Sequence, residues 1–251
     1  MPVPLTARSD KAYWHRYLPL YESCFSRLGQ VGRVLEYGVA YGASISYLSE
    51  RFPEAQIVGC DIIPPLPQWP RSPRVEYVRL DQGDNNTLLE LFRKFPEPFD
   101  IVIEDGSHEP QHQRNCLVVT LPHVRGGGIY IIEDLHTSHP GYPSMAARDR
   151  GTTNCYHVLL AFEHLLANGA PLTEATASSL SLNSFFTSDE IRDLFPFVKA
   201  VEFYRRATLP LRCYRCGSSE YAYDQLRCSC GTDLMGPVDS ICAVVSVRAV
   251  G

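Results

Sequence analysis

Between Val31 and Ser138 the chain repeats one arrangement: a short apolar run of strand length that ends in acidic or glycine residues. The landmarks are RVLEYGVAYGAS (Arg33 to Ser44), VGCDI (Val58 to Ile62), DQGD (Asp81 to Asp84), FDIVIEDGSH (Phe99 to His108) and GGGIYIIEDLHTS (Gly126 to Ser138). Such runs, separated by helical segments, predict an α/β fold built on a parallel sheet. In an open sheet of that kind, ligands bind outside the carboxyl ends of the strands. Polar groups at successive strand ends therefore describe one site.

The first run reads as a buried strand, a glycine turn and a helix from Ser44 to Arg51. The spacing of Glu36, Gly38 and Gly42 lets backbone approach a ligand at a helix N-terminus. It differs from the GxGxxG dinucleotide fingerprint, and a plain strand-to-helix turn would look the same. The second run ends at Asp61, about 20 residues beyond the turn, where nucleotide-binding folds place an acid for ribose hydroxyls. Together the two features point to an adenosine-type ligand. A third strand leads into Asp81, Gln82 and Asp84, with a helix from Thr87 to Lys94, and Pro64 to Pro73 reads as loop. The fourth strand ends with Glu104, Asp105, Ser107 and His108, and the fifth with Glu133 and Asp134. Carboxylates converging on one rim repel unless a cation lies between them, and hard oxygen ligands select Mg²⁺ over softer metals. Each acid alone could equally be a helix cap.

These motifs, in this order, resemble the metal-dependent class I S-adenosylmethionine (SAM) methyltransferases that O-methylate sugars of macrolides and other natural products, the mycinamicin and tylosin group. The resemblance spans about residues 11–205. It implies a Rossmann-like α/β fold: a seven-stranded, mostly parallel sheet whose last strand is antiparallel. It further implies that Asp105, Glu133 and Asp134 hold Mg²⁺ and that His108 is the catalytic base. SAM would be held by Glu36, Gly38, Ser44, Asp61, Gln82 and Glu104, with Asp61 on the ribose and Gln82 near the adenine. Glu104 stands where that family often has Asp. The expected acceptor is a sugar hydroxyl of a glycoside or nucleotide sugar. Two other readings remain open: a catechol-type aromatic O-methyltransferase, and a non-catalytic binding protein that keeps the fold.

The rest of the chain adds a second metal. Of nine cysteines, Cys24, Cys60, Cys116, Cys155 and Cys242 sit in apolar context and read as small hydrophobes. Cys213 and Cys216, then Cys228 and Cys230, cluster as Cys-x2-Cys and Cys-x-Cys, each followed by glycine. Four thiolates so spaced predict a structural Zn²⁺, with redox-active or free thiols as the alternative. The cluster lies outside the family pattern. The expected organisation is an N-terminal helical segment at 1–30 and a methyltransferase domain at 31–251, with a zinc-binding insertion at 208–237.

Lys11 to Leu28 has a helical pattern, with Asp10 as its cap; Tyr13, Trp14 and His15 read either as core or as substrate contacts. The turn-rich stretch from His139 to Asn154 reads as a substrate loop or a connector, and a helix follows from Cys155 to Asn168. Leu182 to Phe195 reads as a strand, a turn capped at Ser188 and a short helix. Lys199 to Arg206 and Ser240 to Arg248 read as the sixth and seventh strands. A formal net charge of −5 argues against a nucleic-acid partner. No run is apolar enough to span a membrane, and the N-terminus lacks a signal-peptide core; a cytoplasmic location is expected. A homo-oligomer is compatible with all of this.

Overall fold

The computed structural model describes residues 9–142, 151–236 and 239–249. Five parallel strands carry the sheet: β1 (Arg33–Tyr37), β2 (Gln56–Asp61), β3 (Val75–Arg79), β4 (Phe99–Glu104) and β5 (Val124–Ile132). Two more, β6 (Val198–Arg205) and β9 (Ile241–Val247), complete it in the order β3-β2-β1-β4-β5-β9-β6. β9 runs antiparallel to both of its neighbours. This is the sheet of the class I methyltransferase fold expected above. A separate two-stranded hairpin, β7 (Tyr221–Ala222) and β8 (Arg227–Cys228), lies between β6 and β9 in the chain.

Central parallel strands are covered on both faces, so they read as nearly unbroken apolar runs. Every residue of β4 is buried. Alternate residues point to opposite layers. Leu35, Val102 and Tyr130 pack with Leu88, Leu117 and Phe162 on one face. Val34, Ile101 and Ile131 pack with Tyr21, Ile45 and Leu48 on the other. Glu36 shares the parity of Val34, and so it points into the second layer, toward the N-terminal segment.

The helices are α1 (Asp10–Tyr13), α2 (Leu18–Phe25), α3 (Ala43–Arg51), α4 (Asn85–Lys94), α5 (Pro110–Thr120), α6 (Cys155–Ala167), α7 (Glu174–Ser181) and α8 (Ser188–Leu194). The single helix expected from Lys11 to Leu28 is thus broken in two. Arg16 adopts a left-handed backbone with φ 59°, its guanidinium donates to the Leu209 carbonyl at 3.2 Å, and Pro19 sits in the first turn of α2. Thr187 rather than Ser188 caps α8, in a reciprocal box with Glu190. The strand expected after Leu182 is reduced to one bridge between Thr153 and Ser184. Half of the expected substrate loop, residues 143–150, lies outside the described residues. No helix among the described residues is long and apolar enough to cross a membrane.

Candidate active site

The loop after β1 is pressed against the loop after β4. Gly38 has φ +88°, and a Cβ there would lie 1.9 Å from the Asp105 carbonyl oxygen. Asp61, at the end of β2, turns back to the same loop. Its Oδ2 accepts from the amides of Val39 (2.9 Å) and Ala40 (3.0 Å), and its Oδ1 from that of Ile63 (3.1 Å). The Gln82 side chain donates to Glu104 Oε1 at 2.7 Å and accepts from the Ser107 amide at 2.9 Å. Gly106 leaves room for it, since a Cβ at that position would meet Gln82 Oε1 at 1.9 Å. Together these groups line a cleft of about 200 Å³, walled by Gly38, Asp61, Leu80, Gln82, Gly106 and Ser107. Glu104 lies behind it, wholly buried, with Oε2 unpartnered. Burial pushes its carboxyl up to about 7, against the pull of His108 and Gln82.

Beside this cleft, Asp105, His108 and Asp134 bring one ligand atom each within 4.8 Å of one another. His108 Nε2 is 4.0 Å from Asp105 Oδ1 and 3.7 Å from Asp134 Oδ2. His108 and Asp134 both have left-handed backbones, with φ 58° and 52°. Non-glycine residues held in that region at a cost cluster at functional sites. His15 and His136 also face Asp134, at 3.6 and 3.7 Å, and Tyr17 donates to it at 2.9 Å. Burial opposes ionisation of Asp134, but His15, His108 and His136 together hold its carboxyl below the usual value. The His108 imidazole is penalised by burial as well. Asp134 and Asp105 nonetheless raise it above its ordinary pKa.

Glu133 does not join this group. Its carboxylate points inward, accepting from the Tyr21 hydroxyl and from Lys11. Lys11 is a site residue that sequence reasoning missed. Its buried ammonium lies 2.9 Å from Asp105, 2.9 Å from Glu133 and 3.1 Å from Glu36. Burial opposes that charge, but Asp105, Glu133 and Glu36 outweigh it and hold the ammonium well above its ordinary pKa. Ser44 donates to the other Glu36 oxygen at 2.7 Å. Glu36 therefore supports the site from within, Ser44 borders a small cavity of about 70 Å³ beside Lys11, and Gly38, Asp61, Gln82, Asp105 and Asp134 border open space.

On the far side of Asp134 lies a larger cleft of about 550 Å³. His108, Asp134 and His136 form its floor. Trp14 and His15 come from the N-terminal segment, and Tyr214 and Asp233 from the cysteine-bearing hairpin.

Residues 35–135 match a family model described as a methyltransferase domain. That segment, about two fifths of the chain, is similar to methyltransferase domains. The 8-demethyl-8-(2-methoxy-alpha-L-rhamnosyl)-tetracenomycin-C 3'-O-methyltransferase of Streptomyces olivaceus is 39% identical over 157 residues, 58% of this chain and 40% of that protein. The mycinamicin VI 2''-O-methyltransferase of Micromonospora griseorubida is 36% identical over 143 residues, covering 53% and 35%. The chain thus spans less than half the length of these curated relatives. Among solved structures, the MycE methyltransferase of the mycinamycin pathway, in complex with Mg and SAH, superposes with a TM-score of 0.63 at 24% identity. That match covers 98% of this chain and 54% of MycE, and it bears on the fold.

Outside the methyltransferase domain's sheet, the four clustered cysteines converge. Cys213 Sγ lies 3.7 Å from Cys230 Sγ, and Cys216 Sγ lies 3.4 Å from Cys228 Sγ. All four sulfurs fall within 4.8 Å of one another. A disulfide would need about 2.05 Å. Sulfurs held 2.3 Å from a tetrahedral ion sit about 3.8 Å apart, so the spacing suits a four-thiolate metal site. Gly217 and Gly231, at φ 75° and 85°, close the two turns. The remaining five cysteines are buried, as expected of small hydrophobes.

Proposed function

We propose that this protein is a Mg²⁺-dependent O-methyltransferase that moves a methyl group from SAM to a sugar hydroxyl of a glycosylated natural product. The observation that carries this reading is the Asp105–His108–Asp134 group, which stands between two clefts on the rim of a methyltransferase sheet. The smaller cleft, with Gly38 and Asp61, is where SAM would bind; the larger would take the acceptor. The tetracenomycin and mycinamicin relatives are named for methylation of sugar positions, which supports this class of acceptor.

Asp105 and Asp134 would hold the Mg²⁺, with Glu133 behind them, paired to Lys11. Bound there, the ion supplies Lewis-acid stabilisation of a developing alkoxide. His108 Nε2 takes the hydroxyl proton. The acceptor oxygen forms a bond to the methyl carbon as the carbon–sulfur bond breaks, and that electron pair stays on sulfur to leave SAH. Asp134 and Asp105 orient the imidazole and stabilise its protonated form. The four cysteines would hold Zn²⁺ in a structural role, since four thiolates leave no open position.

The test is transfer of labelled methyl from SAM to mycinamicin VI and to 8-demethyl-8-alpha-L-rhamnosyl-tetracenomycin C, with Mg²⁺ and after chelation. Transfer that needs Mg²⁺ is expected; failure of calorimetric SAH binding would sink the reading. The spacing of His108 to both carboxylates also suits a third metal ligand, and His108→Asn separates the roles. A base variant keeps its Mg²⁺ affinity and loses about 10²–10⁴-fold in kcat. A ligand variant loses Mg²⁺ affinity first.

A further inference from the structure

We propose that the four-cysteine hairpin is one wall of the acceptor cleft, and that this wall selects a glycoside over a nucleotide sugar. The inference rests on the methyltransferase reading above and adds to it the part of the chain outside that domain's sheet.

The hairpin has almost no core of its own. Its strands are two residues each, and only Cys213, Cys228 and Leu234 are buried together, beneath Trp14. Pieces this small ordinarily need a metal or disulfide to hold their shape. Trp14 passes that order to the cleft. Its ring meets Tyr214 edge-on at 4.7 Å, and the Arg206 guanidinium lies over it, 4.9 Å from the ring centre. Arg206 in turn donates to the Leu234 carbonyl (2.8 Å), to Asp239 (2.6 Å) and to Ser240 Oγ (3.3 Å). Ser240 Oγ is 2.8 Å from His15 Nδ1, which faces Asp134. A continuous series of contacts thus runs from the thiolates to the reacting end of the cleft.

The lining states what the wall accepts. Tyr214 is exposed and Trp14 buried beside it, which offers an aromatic face to an apolar sugar edge. Asp10, Asp134, Asp233 and Asp239 line the same space, and no Lys or Arg does so among the described residues. The carboxylates at the hairpin end, Asp233 and Asp239, accept hydrogen bonds from hydroxyls and repel phosphates, whereas the groups that attract a phosphate, His15, His108 and His136, stand around Asp134. Lys11 and Arg206 are committed elsewhere, Lys11 to three carboxylates and Arg206 to the contacts above.

The test uses saturation-transfer NMR on zinc-loaded protein with Mg²⁺ and SAH. The probes are phenyl α-L-rhamnopyranoside and deoxythymidine-diphosphate rhamnose. Saturation of the glycoside's ring protons is expected, with none on the diphosphate sugar. Tyr214→Ala, which keeps all four cysteines, should abolish the glycoside signal, and so should Cys216→Ser combined with Cys230→Ser. In both variants SAH affinity by calorimetry stays within about twofold, because sites without shared partners act independently. A wild-type protein that gives no glycoside signal, or a stronger one from the diphosphate sugar, overturns the proposal. So does a signal unchanged in both variants. Loss of SAH binding in the wild type would instead overturn the methyltransferase reading itself.

Discussion

Lys11 holds three carboxylates that could not otherwise share one buried space. Glu36, Asp105 and Glu133 lie around its ammonium, and desolvation alone would raise the pKa of each. Removing one partner of a buried ion pair leaves uncompensated charge, at a cost of about 3–5 kcal/mol. Lys11→Met should lower unfolding stability by that amount in urea titration of the metal-free protein; a loss below about 1 kcal/mol would contradict the charge-balance account. Gly38→Ala should cost more than about 1 kcal/mol and lose SAH binding, because alanine is strained at positive φ and its methyl meets the Asp105 carbonyl. The acids and His108 were legible because they end strands, where chain order alone brings them together. Lys11 and Tyr17 were not, and His15 reads only as either core or substrate contact. They reach the site only through tertiary packing of a segment whose aromatic pattern also fits an ordinary core helix. The inward turn of Glu133 was equally hidden, since its neighbour Asp134 carries the same charge and differs only in which way the backbone points it.

At the scale of elements, α6 carries a pH-sensitive start. Asn154 caps it, and the His157 ring nitrogen accepts from the Asn154 amide to complete the box. Burial, with His139 nearby, lowers the His157 pKa. As the pH falls below about 6.5, the unfolded chain takes up this proton before the folded one does, so stability from the cap is present above that pH and lost below it. A positive charge in the first turn also opposes the helix dipole. His157→Gln keeps a neutral acceptor at the same position. The variant should therefore match wild type in Tm near neutral pH and exceed it at pH about 5, by the equivalent of about 1 kcal/mol, the usual worth of a cap. Equal Tm at both pH values would remove the cap from the account. The same element shows what local pattern can give: Cys155–Ala167 falls one residue short of its expected end. The N-terminal helix was misjudged because its break depends on Arg16 reaching Leu209, nearly two hundred positions away in the chain.

Across the whole molecule, two bodies of unequal stability meet along Trp14 and Arg206. The sheet has a core on both faces, whereas the cysteine hairpin buries only Cys213, Cys228 and Leu234 with Trp14. Proteins open locally in such weakly packed units well before they unfold globally. Zinc removal should accordingly act on one body only. By hydrogen exchange, the amides of Cys213, Gly217, Cys228 and Gly231, each bonded within the hairpin, should lose protection after chelation. Those of β1 and β4 should keep theirs. Trp14 packs against Cys213, Cys228 and Leu234, so its fluorescence should shift with the hairpin, while Trp69, which donates to the Ala40 carbonyl at 2.8 Å beside the smaller cleft, should not respond. Global loss of protection would mean that the hairpin is part of the sheet's own stability. Unchanged exchange would mean that the four thiolates hold no metal. The expected result lies between these two, and it makes metal loading a condition on the larger cleft rather than on the fold.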